Sequence, residues 1–135
     1  MKAFLFFIVL FSFKGFCQGI ITPEKYKVQD VIRLIKIKDD FSNSLNFVTF
    51  SNFPKNWVKP SDIPLLIKLL ESHEKCKCYV SVFSSTIPNG ESELSGYAIA
   101  FIESYRNKKS VNLGLQSCPE YNKEKIDEIF KWWNS

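Results

Sequence analysis

Apolar positions recur every three to four residues in four stretches of this chain, and each stretch predicts an amphipathic helix. The first runs from about Pro23 to Lys38. Thr22-Pro23-Glu24 reads as an N-cap followed by proline and an acid in the first turn, and Val28, Val31, Ile32 and Ile35 form the stripe. Asp39-Asp40 closes it. The second opens at Lys59-Pro60-Ser61-Asp62, with Ser61 at the N-cap and Pro64 in the first turn, where proline is tolerated. Its face is Ile63, Leu66, Ile67 and Leu70, widened by Leu65 and Leu69. The third is the clearest: Leu94, Tyr97, Ala98, Phe101, Ile102 and Tyr105 keep the helical spacing throughout. The fourth opens at Ser117-Cys118-Pro119-Glu120, which reads as a capping box. Ile126, Ile129, Phe130 and Trp133 then share a face, and Trp132 lies off it.

Two further runs have a shorter period. Leu45 to Ser51 reads as a short strand or an ordered loop, and Phe47, Phe50, Phe53 and Trp57 pin this connection to the core. An exposed aromatic patch is the alternative. Cys76 to Phe83 fits both a strand and a helix stripe, and its β-branched content favours the strand, with Leu45–Ser51 as the pairing partner. Pro88-Asn89-Gly90 marks a turn. The fold class expected is mainly α, a small bundle of about four helices with room for one short strand pair; α+β is the alternative.

The leading residues change the compartment. Lys2 is followed by an apolar run from Ala3 to Phe13, broken only by Ser12, and then by Lys14-Gly15-Phe16-Cys17. The run has the length of a signal-peptide core and falls short of the roughly 20 residues of a membrane span. Cleavage is expected between Cys17 and Gln18, leaving 18–135 as a single small helical domain with no stable membrane insertion. A retained anchor would oblige Lys14 to snorkel. Lipidation of Cys17 would place bulky Phe16 where such signals carry a small residue. The expected location is therefore outside the cytoplasm, periplasmic or secreted.

Removing residues 1–17 takes Lys2 and Lys14 from the 18 basic residues, leaving 16 against 14 acidic ones. That surplus is too small to argue for nucleic acid. Cys76, Cys78 and Cys118 survive the cut, and in an exported chain they predict one disulfide, Cys118 to Cys78 or Cys76. A metal site built from His73, Cys76, Cys78 and Cys118 is the sharper alternative, since imidazole and thiolate suit zinc or copper(I). The spacing His-x-x-Cys-x-Cys is not a standard zinc pattern.

Catalytic signals are weak. His73 stands alone in a polar run at a helix end, Ser84 and Ser85 lack a nucleophile elbow, and Glu91 and Glu93 lie beside a turn where acids favour a helix start. No phosphate-cradling glycine loop is present and no cofactor is expected. The stretches Trp57–Pro64, Ser84–Pro88, Ile102–Arg106 and Trp132-Trp133 resemble those of small exported bacterial proteins of unassigned function, and no site carries over from the resemblance. The functional expectation is an exported protein without catalytic activity that binds another protein, in the manner of an inhibitor or immunity protein. Trp57, Tyr105, Arg106 and Trp132 are its candidate contacts, because aromatic and arginine side chains dominate interface energetics.

Overall fold

Phe47-Val48-Thr49-Phe50 and Cys78-Tyr79-Val80-Ser81 are rich in residues that suit a pleated, buried surface, and they pair with each other. In the computed structural model, which describes residues 19–36 and 46–135, this pair is the centre of a four-stranded sheet. The elements in chain order are β1 (Ile20–Ile21), α1 (Val28–Ile35), β2 (Phe47–Phe50), α2 (Ile63–Leu69), β3 (Lys75–Cys76), β4 (Cys78–Ser81), β5 (Ser92–Glu93), α3 (Leu94–Asn107), β6 (Gln116–Ser117) and α4 (Lys123–Trp133). The protein is therefore α+β, and the mainly α expectation is corrected.

The strand order is β1-β2-β4-β6. β1, β2 and β4 run parallel, and β6 closes the edge antiparallel. Parallel neighbours cannot be joined by a tight turn, so the chain needs a long crossover between each pair. α1 lies between β1 and β2, and α2 between β2 and β4. A second, two-stranded ladder joins β3 to β5, with Cys76 opposite Ser92.

The helices differ from their sequence forecasts mainly at the ends. Pro23–Lys25 is a separate 3-10 turn, Tyr26 is extended, and α1 starts only at Val28, where Asp30 accepts from the Lys27 amide at 3.1 Å. Pro60–Asp62 is likewise a 3-10 turn, so Ser61 lies inside it and caps nothing; Asp62 accepts from the Lys59 amide at 2.8 Å. Ser117 belongs to β6, and α4 is capped by Asn122, whose side chain accepts from the Lys125 amide at 3.1 Å. The expected signal segment, its expected cleavage point and Asp39-Asp40 lie outside the described residues.

α3 runs through the middle of the core. Leu94 to Ile99, Phe101 and Ile102 are all buried. Phe101 meets Trp57 edge-on at 5.2 Å and Phe53 at 6.0 Å, and Phe53 stacks on Phe50 at 5.4 Å. Side chains of this size contribute about 2–3 kcal/mol each when fully buried. Phe50, Phe53 and Trp57 are thus core anchors. Gly96 faces the segment just after Cys118; a Cβ there would collide with the Pro119 carbonyl carbon and the Glu120 amide nitrogen. Only glycine admits that approach of helix to loop.

Candidate functional site

The cysteine and histidine cluster resolves into cross-links. Cys78 and Cys118 form a disulfide that ties β4 to the segment after β6 across 40 residues of chain. Closing a loop of that size stabilises a fold by about 4 kcal/mol in the chain-entropy picture. Cys76 is a free thiol with no exposure, and burial, aided by Glu74 and Glu93, pushes its pKa up to about 12. A thiol held protonated is neither a nucleophile nor a ready metal ligand. With two of the four proposed ligands bonded to each other, the His73, Cys76, Cys78, Cys118 set cannot close on a metal. Among the described residues no group of three or more His, Cys, Asp or Glu side chains is arranged to hold one.

His73 has a structural partner. Its Nδ1 lies 2.8 Å from a Glu93 carboxylate oxygen, and its ring centroid lies 4.5 Å from that of Tyr121. The hydrogen bond from His73 holds the Glu93 carboxyl below its ordinary pKa, against the opposing effect of desolvation and with help from the Tyr121 amide. The imidazole itself is 65% exposed and lines neither of the two clefts described below. This pairing joins the end of α2's loop to β5 and to the stretch before α4.

The four candidate contact residues divide. Trp57 is only 9% exposed, and its indole N–H donates to the Pro23 and Tyr26 carbonyls at 2.9 and 3.0 Å. It fastens the 3-10 turn before α1 to the core and is unavailable to a partner. Tyr105, Arg106 and Trp132, in contrast, meet in one cleft of about 530 Å³. Tyr105 and Trp132 pack edge-on at 6.2 Å, and the Arg106 guanidinium lies over the indole at 5.4 Å. The reading of the terminal pair is reversed in part: Trp132 is half-buried against α3, and Trp133 is the exposed one at 43%. Trp133 is the last residue of α4, and its ring centroid lies 6.1 Å from that of Trp132.

The rest of the lining was not singled out from sequence. Lys59, Lys108 and Lys109 join Arg106 there, beside Val58 and Pro60, and among the described residues no carboxylate lines the cleft. Lys59 Nζ donates to the Asn56 carbonyl at 2.6 Å, which holds its ammonium at the rim. α3 ends with Lys108 in the left-handed region at φ 53°, and the Lys109 amide reaches back to the Ser104 carbonyl at 3.1 Å. Cations at a helix C-terminus complement its dipole, which accounts for part of this clustering. The run Arg106-Asn107-Lys108-Lys109 was the available signal, but Lys59 arrives from another element.

A second cleft of about 520 Å³ shares Ser104 and Lys109 with the first and runs between α3 and the 109–122 segment. Its lining mixes Glu103, Glu120, Lys109 and Lys125 with Asn and Ser side chains. Lys125 already pairs with Glu103 at 3.7 Å. Two carboxylates and two ammonium groups share that lining, Lys109 being common to both clefts. The basic cleft is the candidate site, and comparison with protein-family models, curated proteins and solved structures returns no match for the chain.

Proposed function

We propose that this protein works outside the cytoplasm, without catalytic activity, by binding another protein through the Tyr105–Arg106–Trp132 cleft in the manner of an inhibitor or immunity protein. The observation that carries the reading is the meeting of an arginine and two aromatic rings, all partly accessible, on one concave surface. Such side chains supply large contact area at low entropic cost. The Cys78–Cys118 disulfide is compatible with an oxidising compartment. Among the described residues no helix is long and apolar enough to cross a membrane.

The test is site-specific photo-crosslinking. A benzoyl-phenylalanine at position 105, in the exported fraction of the native host, should trap one protein that the same group at Thr86 does not. The purified partner should then bind at least tenfold more weakly to Trp132→Ala, with circular dichroism unchanged. Equal trapping at both positions, or unaltered affinity of the Trp132 variant, would sink the proposal.

A further inference from the structure

The Arg106 guanidinium is positioned and unpaired. It is half-buried, its Cζ lies over the Trp132 ring at 5.4 Å from the centroid, and its five N–H donors have no hydrogen-bond acceptor among the described residues. A guanidinium with no acceptor on its N–H groups keeps its fork free for a planar, two-oxygen acceptor. Around it, Lys59, Lys108 and Lys109 bring three more cations. Among the described residues none of the four forms an ion pair, and all four line one concave surface. The site is a local concentration of unneutralised positive charge on a chain that is otherwise nearly balanced.

Resting on the reading above, we infer that the occupant of this cleft is an acidic stretch of a partner polypeptide, with one carboxylate seated on the Arg106 edge. Charge complementarity selects an anion. Pro60, Tyr105 and Trp132 select one that carries apolar groups beside its charge, as a peptide segment does. A nucleic acid is served by an extended basic stripe, whereas on α4 the exposed Glu124, Asp127 and Glu128 interrupt the exposed lysines. A membrane surface is served by projecting aromatic rings such as the exposed Trp133, and the vesicle competitor below separates that occupant from a peptide.

The inference is tested on the disulfide-bonded protein by fluorescence anisotropy. The probe is a labelled twelve-residue peptide of alternating Glu, Leu and Asp; its matched control carries Gln and Asn. Competitors are a thymidine oligonucleotide and phosphatidylglycerol vesicles. The acidic probe should bind with an affinity that falls as salt rises, and the amide control should not bind. Arg106→Ala should weaken the probe at least tenfold. Arg106→Lys should weaken it at least threefold although the charge is kept, because lysine lacks the planar two-pronged fork. Lys108→Ala and Lys109→Ala should each cost about twofold. Equal binding of the amide control, an Arg106→Lys variant equal to wild type, or tighter binding of the oligonucleotide or vesicles overturns the inference. The crosslinked partner keeps the two proposals apart. A partner sensitive to Trp132→Ala yet indifferent to Arg106→Lys removes the acidic occupant and leaves the interaction reading standing; indifference to both removes both.

Discussion

The chain offers two clusters of chemically versatile residues, and folding uses them in opposite ways. His73, Cys76, Cys78 and Cys118 include three neighbours in sequence and the more reactive functional groups, yet each ends with its chemistry spent. Two sulfurs bond to each other, one thiol is sealed in the core, and the imidazole leans on Glu93. Tyr105, Arg106 and Trp132 come from two helices, and among the described residues the Arg106 guanidinium has no acceptor and keeps its interaction capacity open. Proximity along the chain is thus a poor guide to a site. What distinguishes the two regions is whether polar groups find partners inside the protein.

The sharpest way to break this contrast is to remove the cross-link. Cys78→Ser with Cys118→Ser should lose about 4 kcal/mol of unfolding free energy, read from urea denaturation. If the variant remains folded, the cleft should bind its partner unchanged. A loss of binding in a folded double variant would show that the two regions are one functional unit. A smaller effect of opposite sign is expected at the cleft: Lys108 occupies a conformation that glycine adopts freely. Lys108→Gly should raise stability by about 1 kcal/mol while weakening an acidic probe. That outcome would mark the cleft as a place where strain is retained for a charge.

The smallest effect concerns Glu93. Its carboxyl titrates below the ordinary value of 4.5 in the folded protein, so its contribution is complete above that pH and disappears as pH falls through the lowered value. Because His73 is largely exposed, screening limits the contribution to about 1 kcal/mol. Glu93→Gln should flatten this acid limb of the stability profile and leave the cleft's affinity at neutral pH untouched. An identical acid profile in the variant would show that the His73–Glu93 contact stabilises nothing.

Local readings succeeded where the physics is local. α3 was legible to within two residues because its apolar spacing persists from Leu94 to Tyr105 and no competing partner interrupts it. The strand pairing of the 45–51 and 76–83 runs was legible for the same reason, since β-branched, alternating residues have few other uses. The Ser117 capping box failed because a formally correct motif met a stronger claim: Gln116 and Ser117 pair with Val80 and Tyr79. The sheet itself was illegible, since β1 and β6 are two residues each and carry no measurable period. Lys59 was missed because nothing in its neighbourhood announces that it will stand beside the end of α3.

The sequence by itself determined where apolar faces lie, which segments are helix or strand in their interiors, and that Cys118 with Cys78 or Cys76 suits a disulfide. Those properties depend on side-chain type and spacing over a few residues. Only the tertiary structure decided the α+β class, the choice of Cys78 over Cys76, the burial of Trp57 and the assembly of the basic cleft. Each of these depends on which distant groups arrive first at the same acceptor, sulfur or cavity, and that competition is settled by packing across the whole core.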